Sequence, residues 1–411
     1  MNIGFVSAWL ERGATYVTKA YMDMIKDQSR LFVFVRGGEY IDRSIIYPEA
    51  EITYGYRLRG TEIDWKQFSN WIKRNNLDIV IFNEQREIEC VYKAKKEFPK
   101  LILGAYIDYY KEDTIKDFRY YDFLLCNTKR HYNTFKWHPG AYYLPWGVNL
   151  DVFKHNFEYK KYKQHDELIF FHSRGMSNRK GTDILIKAFI KGQLYKKGAK
   201  LIIHTQTSID NLISADEAAS YNIEIICKEV KHPGLYYLGD VYVYPTTLDG
   251  LGLTIYEALA SGLPVITTNE APMNEIISES NGNGLLVDVE SRHCRKDGYY
   301  WPLCVVNIES LIQAMEYYIN NREQIQKLQI NARKFAEENL NINFTAAKLK
   351  KILYDVVEQK QHQIEKKYLP EPEKRLEDSI IRNMAEILLP NFLKDKIRKQ
   401  FEKRRYYERY M

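Results

Sequence analysis

The chain has 411 residues, with 60 Lys/Arg against 54 Asp/Glu and a formal net charge of +6. Apolar residues make up 45% and charged residues 28%; this near-average balance excludes a disordered chain, a collagen and a disulfide-stapled miniprotein. At roughly 150 residues per domain the length suggests two or three domains.

The start, MNIGFVSAWLERG, has no basic segment followed by a long apolar stretch, so it does not read as a secretory signal. Asn2–Ser7 reads as a strand that ends in a loop with Gly13, and Ala14–Lys26 as a helix. Further strands are expected at Leu31–Val35, Leu77–Phe82, Leu101–Tyr106 and Phe123–Asn127, with helical stretches between. Short apolar runs alternating with helices indicate βαβ units and a parallel sheet. The pattern stops near Leu144–Phe153, and the Lys-rich stretch Lys154–Asp166 is the expected linker.

A second series follows. Its strands are Leu168–His172, Lys200–His204, Ile223–Cys227, Val241–Tyr244, Pro264–Thr267 and Gly284–Val287. Helices are expected at Thr182–Lys191, Leu253–Ser261 and Ala271–Glu279, two more over Ile308–Glu338, and another over 345–365. The reading is an α/β protein with two doubly wound domains in series: 1–153, 165–340, and a helical extension with a basic tail at 341–411. Two such domains face each other across a cleft, and ligands sit beyond the C-terminal ends of the strands.

Five cysteines (Cys90, Cys126, Cys227, Cys294, Cys304) are widely spread and form no C-x-x-C, against a disulfide framework or a zinc ribbon. His293, Cys294 and Cys304 come nearest to a ligand cluster; a tyrosine-rich loop with buried thiols is the plainer reading. No apolar run reaches the ~18–20 residues that span a bilayer, and a cytoplasmic protein is the expectation.

The most informative segment is Tyr244–Ile266. Asp249 lies in a loop after a strand, and Gly250 and Gly252 let a ligand approach the backbone. A helix beginning near Leu253 and Thr254 offers free N–H groups to a phosphate. Glu257 lies a turn further on, and both carboxylates suit sugar or ribose hydroxyls. An ordinary βαβ connection with an N-capping Asp249 is the plainer alternative. Upstream, Phe171–Gly181 places Arg174 after a strand and Lys180 before a helix, where two cations can converge on a diphosphate; a solvated basic loop is the alternative.

Asp249-Gly-Leu-Gly-Leu-Thr-Ile-Tyr-Glu257-Ala-Leu-Ala-Ser-Gly262-Leu-Pro264-Val resembles the donor-site signature of retaining glycosyltransferases of the GT-B fold, family 4 type (glycosyl transferases group 1), with Asp249 in place of the usual Glu. Arg174 to Lys180-Gly181 resembles that family's R-x4/5-K-G element. Leu144–Phe153, Ala271–Ile277 and Asn281–Val287 resemble three further elements in the same order, so the resemblance covers about 140 residues.

The resemblance implies that Glu257 holds the nucleotide ribose and that Asp249, Gly250, Leu251 and Gly252 hold the donor sugar, with Leu253 and Thr254 beside them. Gly13 stands where the family has a Gly-rich loop near the diphosphate. The family's histidine position is Ile107 here, beside Asp108, which is either an acceptor or sugar contact or a structural cap. Glu84 is a further cleft candidate or a surface loop residue. With no D-x-D triplet in the chain, the implied chemistry needs no metal or cofactor. Arg174, Lys180 and the helix N-terminus stabilise the leaving diphosphate, and the sugar passes to an acceptor hydroxyl by front-face transfer. Asp249, Arg174, Lys180 and Asp108 are the catalytic candidates. The donor is a nucleotide diphosphate sugar, UDP-sugar before GDP-sugar, and the acceptor a glycan or glycoconjugate of polysaccharide assembly. The alternatives are a non-catalytic sugar-nucleotide-binding or scaffold subunit and, more weakly, an epimerase.

Tyr106, Tyr109, Tyr110, Tyr120 and Tyr121 could offer an acceptor surface, or reflect only a chain with 33 tyrosines. Residues 391–411 carry eight Lys/Arg and three Asp/Glu, a net of +5. The tail 380–411 reads as a basic amphipathic helix that suits an anionic membrane at the inner face of the cell, a partner protein, or neither. The rest of the chain is close to neutral, which does not suit nucleic acid.

Overall fold

The computed structural model describes residues 1–10, 12–154, 167–231, 233–362 and 370–372. The tail at 380–411, and all but the first residue of the expected linker, lie outside the described residues.

The first half contains strands β1 (Asn2–Ser7), β2 (Arg30–Val35), β3 (Ala50–Tyr54), β4 (Ile79–Asn83), β5 (Ile102–Tyr106), β6 (Phe123–Cys126) and β7 (Ala141–Tyr143). Its helices are α1 (Gly13–Ile25), α2 (Trp65–Arg74), α3 (Glu89–Glu97) and α4 (Lys129–Phe135). The strands form one parallel sheet in the order β3-β2-β1-β4-β5-β6-β7.

The second half contains β8 (Leu168–Gly175), β9 (Ala199–Thr205), β10 (Ile223–Cys227), β11 (Val241–Tyr244), β12 (Val265–Thr268) and β13 (Gly284–Val287). Its helices are α5 (Thr182–Lys191), α6 (Ala215–Ser220), α7 (Leu253–Ala260), α8 (Ile308–Asn320) and α9 (Ile325–Asn339). This sheet is also parallel, in the order β10-β9-β8-β11-β12-β13. A hairpin, β14 (Val289–His293) and β15 (Leu303–Val306), leaves its edge.

Both sheets are doubly wound, as expected. Strands such as Ile79–Asn83 and Val241–Tyr244 are buried along their whole length, as central strands covered on both faces must be. The strand order reverses between β1 and β4 and again between β8 and β11. At such switch points the loops part and leave a crevice at the carboxyl ends.

The last described helix, α10 (Ile342–His362), returns to the first half. It packs against α1. Thr345 Oγ1 donates to the Pro145 carbonyl at 2.9 Å, and Lys350 pairs with Asp27 at 2.8 Å. Lys360 and Lys95 both reach Asp122, at 2.9 and 2.7 Å. Its sequence neighbour α9 packs in the second half, against α7.

Two expectations are corrected. Ala271–Glu279 forms no α-helix; Met273–Glu275 makes a short 3-10 turn, and a second begins at Glu279. Glu275 is drawn off to cap another helix, and Asn283 fixes the following backbone through Ser278 N–H and the Ile276 carbonyl. The tyrosines proposed as an acceptor surface are core: Tyr106, Tyr110, Tyr120 and Tyr121 are buried, and only Tyr109 is part-exposed. Tyr110 and Phe118 pack edge-to-face around Phe135, which explains why these rings are inside.

Candidate functional site

The loop between β11 and α7 carries Asp249, Gly250, Leu251 and Gly252. Lys180 ends the short turn Asn178–Lys180 that leads into α5. Its Nζ lies 2.6 Å from Asp249 Oδ2, and the Tyr244 hydroxyl contacts both. Asp249 Oδ1 accepts from the Gly252 N–H at 3.1 Å and more loosely from Leu251 at 3.4 Å. Burial alone would raise the Asp249 carboxyl. The Lys180 ammonium, the phenol and the Gly252 N–H outweigh it and hold the group well below the usual carboxylate range.

Gly252 sits at φ +78° and opens α7 at Leu253, with Thr254 in its first turn. Glu257 is half-buried one turn on, and accepts from the Tyr236 hydroxyl at 2.6 Å. Burial pushes its carboxyl up to about 7, against the pull of Tyr236 and Lys180. Asp249 and Glu257 therefore sit at opposite ends of the carboxylate range.

Arg174 falls where β8 bulges against β9, between Ser173 and Gly175, and a bulge re-aims its side chain. Its guanidinium donates to Thr205 at 3.1 Å and Thr207 at 2.8 Å, and also to Asn178. Among the described residues Arg174 and Lys180 thus have separate partners. His172, on β8, ties it to β11 and α5, 2.7 Å from the Val243 carbonyl and 2.8 Å from Thr182 Oγ1. Burial lowers it to about 4, so it is a neutral tie and not a base.

From the first half, Asp108 faces this loop. A Cβ on Gly250 would lie 2.0 Å from Asp108 Oδ1, so the close approach requires glycine there. Burial, the hydrogen-bonded Glu84 and Asp249 hold the Asp108 carboxyl well above its usual range. Glu84, at φ +53°, also pairs with Arg12 at 3.0 Å, and Arg12 pairs with Glu39 at 2.9 Å. Glu84 is therefore part of the crevice, not a free surface loop. Gly13, the next residue after Arg12, starts α1 with open space where a Cβ would stand.

Sequence reasoning missed Tyr244, Tyr236, Arg130 and His131. The two tyrosines sit in or near a strand and read as apolar filler. Arg130 and His131 follow Thr128, whose hydroxyl caps α4 by accepting from the His131 N–H at 3.1 Å. That cap was the available signal for the helix, but nothing local says where its side chains go. The β14–β15 hairpin was missed too. It lays Tyr299 against the first half, where its hydroxyl donates to the Asp108 carbonyl at 3.0 Å. Tyr299 also stacks on Tyr109 with ring centroids 5.2 Å apart. His293, Cys294 and Cys304 lie on or beside it, with Cys304 buried and His293 exposed.

Gly181 links Lys180 to α5 at φ +74°, and a Cβ there would stand 1.9 Å from the Pro245 carbonyl oxygen. Gly181→Ala should cost at least ~2 kcal/mol, from left-handed backbone strain plus overlap with a rigid atom. Thermal unfolding checks this, and a variant that melts with the parent would refute the contact.

A family model described as glycosyl transferases group 1 matches residues 166–294. The chain is 28% identical over 149 residues to the UDP-N-acetylglucosamine–peptide N-acetylglucosaminyltransferase GtfA subunit of Streptococcus pneumoniae. That alignment covers 35% of this chain and spans 29% of the relative's own length. Among solved structures, sucrose-phosphate synthase from Thermosynechococcus elongatus matches with a TM-score of 0.69 at 15% identity, over 87% of this chain and 100% of that one. Pneumococcal O-GlcNAc transferase GtfA, in complex with UDP and GlcNAc, matches with a TM-score of 0.63 at 12% identity, over 87% and 99%. The segment that matches glycosyl transferases group 1 carries Arg174, Lys180, Asp249 and Glu257, and the two sheets share the neighbours' arrangement: the chain has the GT-B fold.

Proposed function

We propose that the protein is a retaining glycosyltransferase that moves a sugar from a nucleotide diphosphate sugar, UDP-linked before GDP-linked, to a hydroxyl of a glycan or glycoconjugate, without a metal. One observation carries this reading. Lys180, the Gly250–Gly252 backbone and the start of α7 meet at one switch point, with Glu257 behind them and Asp108 opposite.

In this reading Glu257 accepts from the ribose hydroxyls. Lys180, Arg174 and the α7 N-terminus take the charge that grows on the diphosphate as the sugar–phosphate bond breaks. To do so Lys180 must exchange part of its Asp249 contact for phosphate oxygen. Asp108, kept protonated, can donate as well as accept a hydrogen bond at the sugar. The leaving phosphate takes the proton of the acceptor hydroxyl on the same face, so the anomeric configuration is retained. The pneumococcal neighbour's UDP supports the choice of base.

The test is calorimetry of UDP, GDP and their sugars against the protein in EDTA. UDP should bind, and UDP-sugar should be turned over slowly to UDP and free sugar. Binding without any turnover, even with candidate acceptors, would favour a scaffold subunit. No binding of any nucleotide would sink the donor-site reading.

A further inference from the structure

Helix α4 of the first half ends two buried side chains on the Asp249–Gly252 loop of the second. Arg130 is 4% exposed and His131 is 1% exposed. Arg130 Nη2 donates to the Asp249 carbonyl at 2.7 Å, and Nη1 donates to the Ala271 carbonyl. His131 Nε2 lies 3.2 Å from the Gly250 carbonyl, and Nδ1 lies 2.9 Å from the Tyr110 hydroxyl.

The proton positions follow. A carbonyl only accepts, so His131 Nε2 carries the hydrogen. Trp301 Nε1 donates to the Tyr110 oxygen at 2.6 Å. The Tyr110 hydrogen is then free to go to Nδ1. One directed chain runs Trp301 to Tyr110 to His131 to Gly250. Burial, with Arg130 next to it, keeps this imidazole neutral. Across the same contact, Glu275 of the second half accepts from the Lys129 and Arg130 backbone N–H groups at 2.6 and 2.7 Å. The Arg130 guanidinium also lies 4.9 Å from the Trp301 ring centroid.

Resting on the proposed function, we infer that Arg130 and His131 are positioning residues for the donor: they orient the 249–250 and 250–251 peptide groups. In a trans peptide the C=O and N–H point in opposite directions. Two carbonyls held on the α4 side turn the Gly250 and Leu251 N–H groups away from α4. The Leu251 N–H accordingly faces Asp249 Oδ1, on the Lys180 side. Those are the N–H groups that a donor sugar would meet. The loop is therefore set by the opposite half, and is aimed only while the halves are in contact. Packing alone would not need two polar side chains spent on consecutive carbonyls of one ligand loop.

The experiment uses Arg130→Met, Arg130→Lys and His131→Phe in the full chain. Without ligand, amide hydrogen exchange at Gly250–Leu253 should speed up about tenfold or more in Arg130→Met and His131→Phe, while β8 and β9 stay unchanged. Unchanged exchange in both would overturn the inference. With ligand, UDP affinity should stay close to the parent's while turnover of UDP-sugar falls on the order of 100-fold, the cost of a small misplacement. Arg130→Lys should recover part of the turnover. Equal losses of melting temperature, UDP affinity and turnover would show a packing role and also overturn it. If the parent binds no UDP, the proposed function fails, and the exchange measurement still decides whether the two side chains hold the loop.

Discussion

Replacing Lys180 with alanine should lower both stability and donor affinity, and adding Asp249→Asn should return the stability but not the affinity. The two side chains are 22% and 17% exposed and 2.6 Å apart. Removing one member of a fully buried pair costs about 3–5 kcal/mol, because the other is left charged and unpaired. Partial exposure brings the expected loss to ~2–3 kcal/mol. Asparagine at 249 removes the stranded charge and still accepts from Tyr244 and Gly252. Donor affinity is different, because in the proposed reading the diphosphate needs the cation itself. A charge-assisted hydrogen bond is worth about 1.5–3 kcal/mol, so UDP should bind roughly 10- to 100-fold more weakly in both variants. Chemical denaturation and calorimetry on the two variants check this. A double variant that binds UDP like the parent would leave Lys180 only a structural role.

Glu257 should behave in the opposite way: its loss should stabilise the free protein while weakening the ligand complex. Its carboxyl is pushed up to about 7 by burial, against an ordinary 4.5. Between those values the folded state keeps a proton that the unfolded chain has already lost. The contribution is full below pH 4.5 and is lost as pH rises through 7, so stability falls across that window. The shift corresponds to at most about 3 kcal/mol. Glu257→Gln should remove that dependence and melt higher than the parent at pH 8. Its UDP affinity should drop, because an amide is a weaker acceptor for the ribose diol than a carboxylate. In the parent, UDP binding near pH 6 should expel a proton, since ribose donors favour the ionised form. Calorimetry in buffers of different ionisation enthalpy reads that proton. No proton release at pH 6, with Glu257→Gln binding UDP normally, would place the ribose elsewhere.

The second sheet was legible almost strand by strand. Its strands are short apolar runs cut off by Gly, Pro or polar loops, and Ile223–Cys227, Val241–Tyr244 and Gly284–Val287 have the expected ends. The first sheet was less so. Ala50–Tyr54 pairs only with β2 at the sheet's edge and is part-exposed, so it lacks a continuous apolar signal. Ala141–Tyr143 is too short to show periodicity. The β14–β15 hairpin mixes Glu290, Arg292, His293, Arg295, Lys296 and Asp297 with its apolar residues and is held by what it lands on. The family resemblance named Arg174 with Lys180 and Asp249 with Glu257, because each pair's spacing along its own strand–loop–helix unit is local. Arg130 and His131 were invisible for the converse reason. Their partners are 119 residues away in sequence, and only the apposition of two sheets brings them together. Asp108 was named without its setting, since neither Glu84 nor Gly250 is close to it in the chain.

The return of α10 to the first half has a consequence for how the protein is made. During synthesis the first sheet is complete at Tyr143, yet the helix that packs on α1 begins only at Ile342. At about 5–20 residues per second, those roughly 200 residues take on the order of 10–40 seconds. For that interval α1 has no α10 to lie against on the nascent chain. The second half, by contrast, has its sheet and its helices through α9 in one uninterrupted stretch from Leu168 to Asn339. The half made first is thus the later to receive its last helix, and a chain ending before Ile342 would hold all the second half's elements but lack α10 for the first.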